Sequence, residues 1–270
     1  MNRSAGAAAA ATLLAVAVAA CTLAGSAPSP RTPTSAGADT RRPGSDDMSA
    51  ALQSLQRDDT QNPGMLWVHE GERLWARPAG NGGSCAGCHA SGGASVASAA
   101  ARHPVFDAEK QRPLTLAGRI DRCRQRHLGL PGEGADGAEV LALSAWLAHR
   151  ARGLPIESPD DARLAPWRER GEALWRRRMG QLDLSCHLCH DQRAGERLGG
   201  AVIPQGHPTG YPAYRLEWQT LGSLQRRIRG CLVGVRAEPF AADADESLAL
   251  EVWLRRRAAG MRIEGVAVRP

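Results

Sequence analysis

A chain of 270 residues with 43% apolar and 23% charged content has room for two small domains and is too apolar for a disordered segment. The net charge of +6 is carried almost wholly by arginine, with Lys110 the only lysine; no basic tail or basic-aromatic interleaving marks a nucleic-acid surface, and no nucleic-acid partner is expected. Aromatic residues make up 4% and are mostly the seven tryptophans, which leaves Trp to do much of the packing.

Residues 1–21 read as an export signal: Arg3 supplies a short positive region, and Ala5 to Ala20 form an Ala/Val/Leu stretch too short and too weakly apolar to span a bilayer. The run Val18-Ala19-Ala20-Cys21 resembles a bacterial lipobox, in which Cys21 would be lipidated and would anchor the protein to a membrane. Cleavage after the small residues Gly25-Ser26-Ala27, with Cys21 discarded, is the alternative. Residues 22–46, rich in Pro, Ser, Thr, Ala and Gly, are expected to form a disordered tether.

The pentapeptides Cys85-Ala86-Gly87-Cys88-His89 and Cys186-His187-Leu188-Cys189-His190 are both C-x-x-C-H. In that pattern two cysteine sulfurs form thioethers to the vinyl groups of a haem and the following His binds its iron. Two covalently attached haem c groups are therefore expected, on Cys85 and Cys88 with His89, and on Cys186 and Cys189 with His190. A zinc knuckle would need four protein ligands per ion, and a thioredoxin-like pair would need a βαβ context the sequence lacks. Haem c is attached after export, which agrees with the N-terminal signal and places the folded part in the periplasm.

The two halves repeat. Gly71-Glu72-Arg73-Leu74-Trp75 recurs as Gly171-Glu172-Ala173-Leu174-Trp175 ahead of each haem motif, and the segment from Trp146 to Gly153 recurs from Trp253 to Gly260 behind it. Leu143/Trp146/Leu147 and Leu250/Trp253/Leu254 have helical spacing, and Gly153 and Gly260 suit helix ends. Each half thus runs helix, haem motif, long loop, helix, the order of a class I cytochrome c. The expected fold is mainly α, with two tandem class I cytochrome c-like domains related by internal duplication, at 47–155 and 156–270. The Pro-containing stretch 154–166 reads as the linker.

The second axial ligand of electron-carrying cytochromes c is usually Met from the loop after the haem motif. No Met lies between His89 and Gly153, and after His190 the only one is Met261, beyond the last helix. Both loops instead contain L-x-x-R-I-x-x-C, from Leu116 to Cys123 and from Leu224 to Cys231. Cys123 and Cys231 are the candidate axial thiolates; a Cys123–Cys231 disulfide or two inert thiols are the alternatives. Histidine is the other rival, but His103 aligns with Tyr211 and His127 with Val235, and His207 lies outside the matched stretch.

The stretches Asn62-Pro63-Gly64-Met65-Leu66-Trp67, Tyr211-Pro212-Ala213-Tyr214-Arg215-Leu216-Glu217-Trp218-Gln219, Arg226-Arg227-Ile228-Arg229-Gly230-Cys231 and Gly234-Val235-Arg236-Ala237-Glu238-Pro239-Phe240, with both haem motifs, resemble the SoxA family over roughly residues 47–260. The resemblance implies a SoxA-like L-cysteine S-thiosulfotransferase subunit that conjugates thiosulfate to a cysteine of a SoxYZ-like sulfur carrier and passes two electrons to a cytochrome c. It implies a heterodimer with a small SoxX-like monohaem cytochrome. It also implies that the C-terminal haem is catalytic, with Cys231 its axial ligand, found in the family as a persulfide, and Arg227 binding substrate. Arg226 and Arg229 would add positive field or form a solvated helix face. Arg119 beside the first haem warns that part of the pattern is structural. The competing readings are a tetrathionate-forming thiosulfate dehydrogenase and a plain dihaem electron carrier.

Overall fold

The computed structural model describes residues 39–89 and 94–270. The expected signal at 1–21, with Cys21, and residues 22–38 of the expected tether lie outside the described residues. The last residues of the tether segment carry structure: Gly44–Asp47 is a 3-10 helix, and Arg42 donates to Asp47 Oδ1 at 2.9 Å.

The first half contains α1 (Ala50–Arg57), α2 (Met65–Ala76), α3 (Cys85–Cys88), α4 (Ala94–Arg102), the hairpin β1 (Val105–Asp107) and β2 (Arg112–Leu114), α5 (Leu116–Leu128) and α6 (Ala138–Arg150). The second contains α7 (Ala165–Arg176), α8 (Cys186–His190), β3 (Arg197–Leu198), β4 (Ala201–Val202), the hairpin β5 (Ala213–Arg215) and β6 (Thr220–Gly222), α9 (Leu224–Gly234), α10 (Asp245–Arg257) and β7 (Val268–Arg269). The fold is mainly α and duplicated, as the sequence leads one to expect. The stretch read as a long loop is more ordered than that reading, because it holds a hairpin and a capped helix in each half. Thr115 and Ser223 cap α5 and α9 by accepting from the N–H groups of Gly118 and Arg226, each at 3.0 Å. Leu116/Ile120 and Leu224/Ile228, four apart, then share one helix face. Gly153 and Gly260 both adopt φ +83°, but the helix caps themselves are Ala151 and Ala258, so each glycine serves the turn after its helix.

In each half the helix before the haem motif crosses the last helix at a glycine. A Cβ on Gly71 would overlap the Ala142 carbonyl of α6, and one on Gly171 would overlap the Ala249 carbonyl of α10. Direct backbone contact at these points seats Trp146 and Trp253 beside the two glycines.

The halves share a core. Tyr214, Leu221, Ala258, Met261, Ile263, Val266 and Val268 from the second half pack with Met65, Val68, Leu74, Val140 and Trp146 from the first. Met261, the sole methionine after the second haem motif, is spent in that core at 9% exposure. β7 pairs in parallel with β5, Asn62 donates to the Val266 carbonyl at 3.0 Å, and Ile156 N donates to the Met261 carbonyl at 2.8 Å, which pins the stretch read as a linker. A smaller cluster of Leu174, Trp175, Ala249, Leu250 and Leu254 supports the second haem motif. Arg255 of α10 closes the C-terminal end of α4 by donating to the carbonyls of Ala100 and Ala101 at 3.0 and 2.8 Å. Burial pulls its pKa down to about 10 and raises that of Glu251, one turn earlier, to about 7.

Two expectations follow from this packing. Gly171→Ala forces α7 away from α10, and Gly71→Ala forces α2 from α6. Because backbone rather than a flexible side chain must yield, each should cost about 1–3 kcal/mol or more and lower the midpoint of thermal unfolding by about 2–4 °C per kcal/mol. Differential scanning calorimetry that found either variant as stable as the parent would refute the close crossing.

The second concerns His103, which is half-buried with its Nε2 out of water's reach and Nδ1 at 2.7 Å from the Ala99 carbonyl; desolvation first, then the charges of Arg119, Arg255 and Arg102, lower its pKa to about 4. The unfolded chain binds a proton at this residue below about pH 6.5 that the fold refuses until about pH 4, so stability falls as pH drops through that window. His103→Gln should flatten the pH dependence of denaturant midpoints between pH 6.5 and 4, recovering up to about 3 kcal/mol of pH sensitivity. Parallel curves for parent and variant would contradict this.

Candidate functional site

Each haem motif begins as a capped turn. Ser84 accepts from Gly87 N at 2.9 Å and Ser185 from Leu188 N at 3.2 Å, which holds each Cys-x-x-Cys pair on one short helix. The following histidine stacks on the tryptophan of the preceding long helix: Trp75 and His89 have ring centroids 5.5 Å apart, Trp175 and His190 5.6 Å, both with planes inclined by 32°. In the second half His190 Nδ1 contacts the Pro204 carbonyl at 2.7 Å, which leaves Nε2 as the nitrogen that could bind a metal. Gly206, at φ +75°, lets that loop approach; a Cβ there would lie 3.1 Å from the Trp175 ring and 3.3 Å from His190 Cγ. Asp191 braces the same side, accepting from Trp175 Nε1 at 2.8 Å and Arg257 at 2.6 Å and pairing with His187 Nδ1 at 2.7 Å. Burial opposes its charge, but these contacts hold its carboxyl below the usual carboxylate range.

The distal cysteines lie in separate crevices and are free thiols. Cys123 is close enough to Cys85 to raise its pKa, second to burial, and Cys231 acts likewise on Cys186, which is pushed up to about 12. The arrangement is that of a cytochrome c crevice in each half, with the C-x-x-C sulfurs on one wall and a thiol reaching in from α5 or α9. In the second crevice the residues present fit a haem c: Cys186 and Cys189 would attach it, and His190, with whose side chain Cys231 interacts, would bind its iron. Among the described residues no group of three or more His, Cys, Asp or Glu could hold a metal ion by itself, so the zinc-knuckle reading finds no support.

The second crevice is electrostatically distinct. Burial raises the Cys231 pKa, but contact with His190 and the positive charges of Arg227 and Arg215 outweigh it, so the thiol is held below its ordinary value. Arg227, one turn before Cys231 on α9, makes no side-chain hydrogen bond or ion pair among the described residues. Burial disfavours its charge, yet the neighbouring acidic groups, Cys231 first and then Tyr211, raise its pKa overall. Tyr211 is half-buried, and the nearby charges of Arg227, Arg269 and Arg215 act against the burial that raises its pKa. Arg119, at the corresponding place on α5, is exposed.

The two neighbours thought able to add positive field are already engaged. Arg229 is paired to Asp136 of the first half at 2.6 Å, and Arg226 lies over the Trp218 ring at 4.4 Å. Sequence reasoning left Arg215, Tyr211 and Asp191 without roles, although Tyr211 and Arg215 stand in the stretch that carries the resemblance. Aligning Asp107 with Arg215 would have exposed a charge reversal between the halves. The residues 234–240 fold back on the chain before the second haem motif, with Gln181 N donating to the Arg236 carbonyl at 3.2 Å. That contact explains how a stretch after Cys231 bears on the motif at 186–190.

Comparison with known proteins agrees with this geometry. The family model for the SoxA/TsdA cytochrome c domain matches residues 70–156 and 170–263. The L-cysteine S-thiosulfotransferase subunit SoxA of Pseudaminobacter salicylatoxidans is 35% identical over 222 residues, covering 82% of this chain and 78% of the relative. The SoxA subunit of Paracoccus pantotrophus is 33% identical over 220 residues, 81% of this chain and 76% of the relative. The crystal structure of SoxXA from P. pantotrophus superposes with a TM-score of 0.80 at 31% identity, covering 85% of this chain and 87% of that one. With a duplicated helical frame, a C-x-x-C-H motif in each half and matches over most of its length, the chain belongs to the SoxA/TsdA cytochrome c family, whose domain carries covalently bound haem c.

Proposed function

We propose that this chain is the haem-bearing SoxA-type subunit of an L-cysteine S-thiosulfotransferase and that Cys231 and Arg227 form its sulfur-handling site. The observation that carries the assignment to the second half is the half-buried thiol of Cys231, whose pKa is held below its ordinary value by contact with His190 and by the charge of Arg227, a guanidinium with no ion pair among the described residues. The first half offers Cys123 an exposed Arg119 instead. In this reading the chain carries two haem c groups, on Cys85 and Cys88 and on Cys186 and Cys189, with His89 and Cys123, and His190 and Cys231, as axial ligands.

The reaction joins a carrier thiol to thiosulfate: R–SH and S2O3 with two negative charges give R–S–S–SO3 with one, a proton and two electrons. Bound haem c supplies the acceptor that removes those electrons one at a time toward an external cytochrome c. Arg227 recruits the dianion and orients its sulfonate oxygens through two parallel N–H donors, so that the terminal sulfur is turned toward Cys231. The partial burial of Cys231 and Arg227 limits the competition of water for these contacts and strengthens them. A SoxX-like monohaem cytochrome as heterodimer partner and a SoxYZ-like carrier are supported by the name and composition of the matched SoxXA structure and by the relatives' names. Export to the periplasm is supported by the 1–21 signal and by covalent haem, and lipidation of Cys21 by the lipobox-like run. No helix among the described residues is long and apolar enough to cross a membrane.

Two measurements test this reading. A pyridine haemochrome assay should give two haems per chain and one after Cys85→Ala with Cys88→Ala, while electron paramagnetic resonance should show low-spin His/thiolate signals, one of which alone changes in Cys123→Met. A single haem in the parent would exclude the duplicated cofactor.

In steady-state assays with carrier, Cys231→Ala should abolish thiosulfate oxidation while Cys123→Ala keeps a substantial part. Arg227→Ala should lower kcat/KM about ten- to hundredfold, the loss of one charge-assisted contact of about 1.5–3 kcal/mol, and Arg227→Lys should recover only part of it. Full activity in a haem-loaded Cys231→Ala protein would show that the sulfur chemistry lies elsewhere, and tetrathionate formed without carrier would favour a dehydrogenase.

A further inference from the structure

We infer that Arg215 is a second substrate-binding guanidinium of the Cys231 site, forming with Arg227 a two-cation pocket for the sulfonate end of a thiosulfate-like dianion. This rests on the reading of Cys231 as the sulfur-handling centre and names the residue that makes the second crevice, not the first, selective for a doubly charged anion.

The duplication supplies the internal control. β1 and β5 occupy the same place in the two halves, each paired in an antiparallel hairpin with the strand that leads into the cysteine-bearing helix. The last residue of the strand is Asp107 in the first half and Arg215 in the second. Asp107 is buried and ion-paired to Arg122 of α5, so the first half answers that position with a closed, neutral pair. The second half places an arginine there, and it shares the Trp218 ring with α9: Arg215 lies over that ring at 5.2 Å and Arg226, the residue before Arg227, at 4.4 Å. One frame has thus been given opposite charge at one register position, at the end of the hairpin that lies against the cysteine-bearing helix.

The surroundings of Arg215 leave it short of a partner. Its side chain is 12% exposed, its Nε is buried without a hydrogen bond among the described residues, and its one carboxylate contact is Glu217 at 3.1 Å, itself 65% exposed. Such a pair is screened by water and worth little. Burial and then the charge of Arg227 lower the Arg215 pKa, so two guanidinium groups repel within a poorly solvated space. A dianion between them would relieve that repulsion, whereas a monoanion would leave one charge uncompensated. Position is fixed rather than fluid: β5 holds the backbone, Arg215 lies over the Trp218 ring at 5.2 Å, and Gly222 allows Trp218 to sit against β6, where a Cβ would overlap the indole.

The experiment titrates thiosulfate into the haem-loaded protein, bound to its partner cytochrome but without carrier, by isothermal titration calorimetry. Arg215→Gln should raise Kd about ten- to hundredfold, the size expected for one lost charge-assisted contact. Arg215→Lys should fall between parent and Arg215→Gln, and serves as the test if the glutamine variant does not fold. Glu217→Gln should bind at least as tightly as the parent, because it removes only a competing carboxylate; a structural clamp between Arg215 and Glu217 would make it as weak as Arg215→Gln. In turnover, the rise should fall on KM more than on kcat. Parent-like binding by Arg215→Gln or by Arg215→Lys where that variant serves, equal losses in Glu217→Gln, or no thiosulfate binding by the parent would each overturn the inference. Carrier-dependent turnover by the parent tests the underlying reading separately: if it is absent while binding is present and lost in Arg215→Gln, the transferase reading fails and the two-cation pocket stands.

Discussion

The architecture depends on a backbone-to-backbone helix crossing in each half, at Gly71 on Ala142 and at Gly171 on Ala249. Only a residue without Cβ permits it, and the consequence lies one turn away. Trp75 and Trp175, four residues on from the glycines, are brought against His89 and His190 and become the walls on which those rings rest. Trp75 also meets Trp146 of the crossing partner, with ring centroids 4.7 Å apart. A chain with few aromatics thus concentrates them where the histidine needs a rigid neighbour.

Upon that shared frame the two crevices diverge in charge. Both halves use the same hairpin, the same capped helix and a cysteine at the same helical position, so backbone geometry does not separate them. The difference lies in what surrounds the thiol. The first half pairs Asp107 with Arg122 and leaves Arg119 toward solvent, whereas the second leaves Arg227 and Arg215 half-buried, their charges felt at Cys231, and diverts Arg229 to Asp136 and Arg226 to Trp218. Two of the four arginines close to Cys231 therefore serve packing and the junction between halves. Counting basic residues along α9 would assign them all to substrate.

The halves are also not independent bodies. The second half's terminal strand lies on its own hairpin while its flanking residues fill the core under α2 and α6, and Arg255 closes a helix of the first half. Such interlocking ties the orientation of α9 to the packing of the N-terminal half, which is also where Asp136 holds Arg229.

By itself the sequence determined the two C-x-x-C-H motifs, the helical frame around them, the duplication, and the cysteine that stands at the same place in each loop where no methionine does. These are legible because each is local: five adjacent residues, a four-residue helical spacing, or a register shared by two aligned segments. Helices α5 and α9 were nearly legible, since Thr115 and Ser223 precede runs with apolar residues four apart, but each lies in a stretch that reads as loop beside the stronger flanking signals. The shared core, the engagement of Arg229 by Asp136 across 93 positions, and the approach of Arg215 to the Cys231 crevice could be decided only by the tertiary structure. Partner choice for a long arginine depends on which surfaces meet after the chain has collapsed, and residue order alone does not encode that distance.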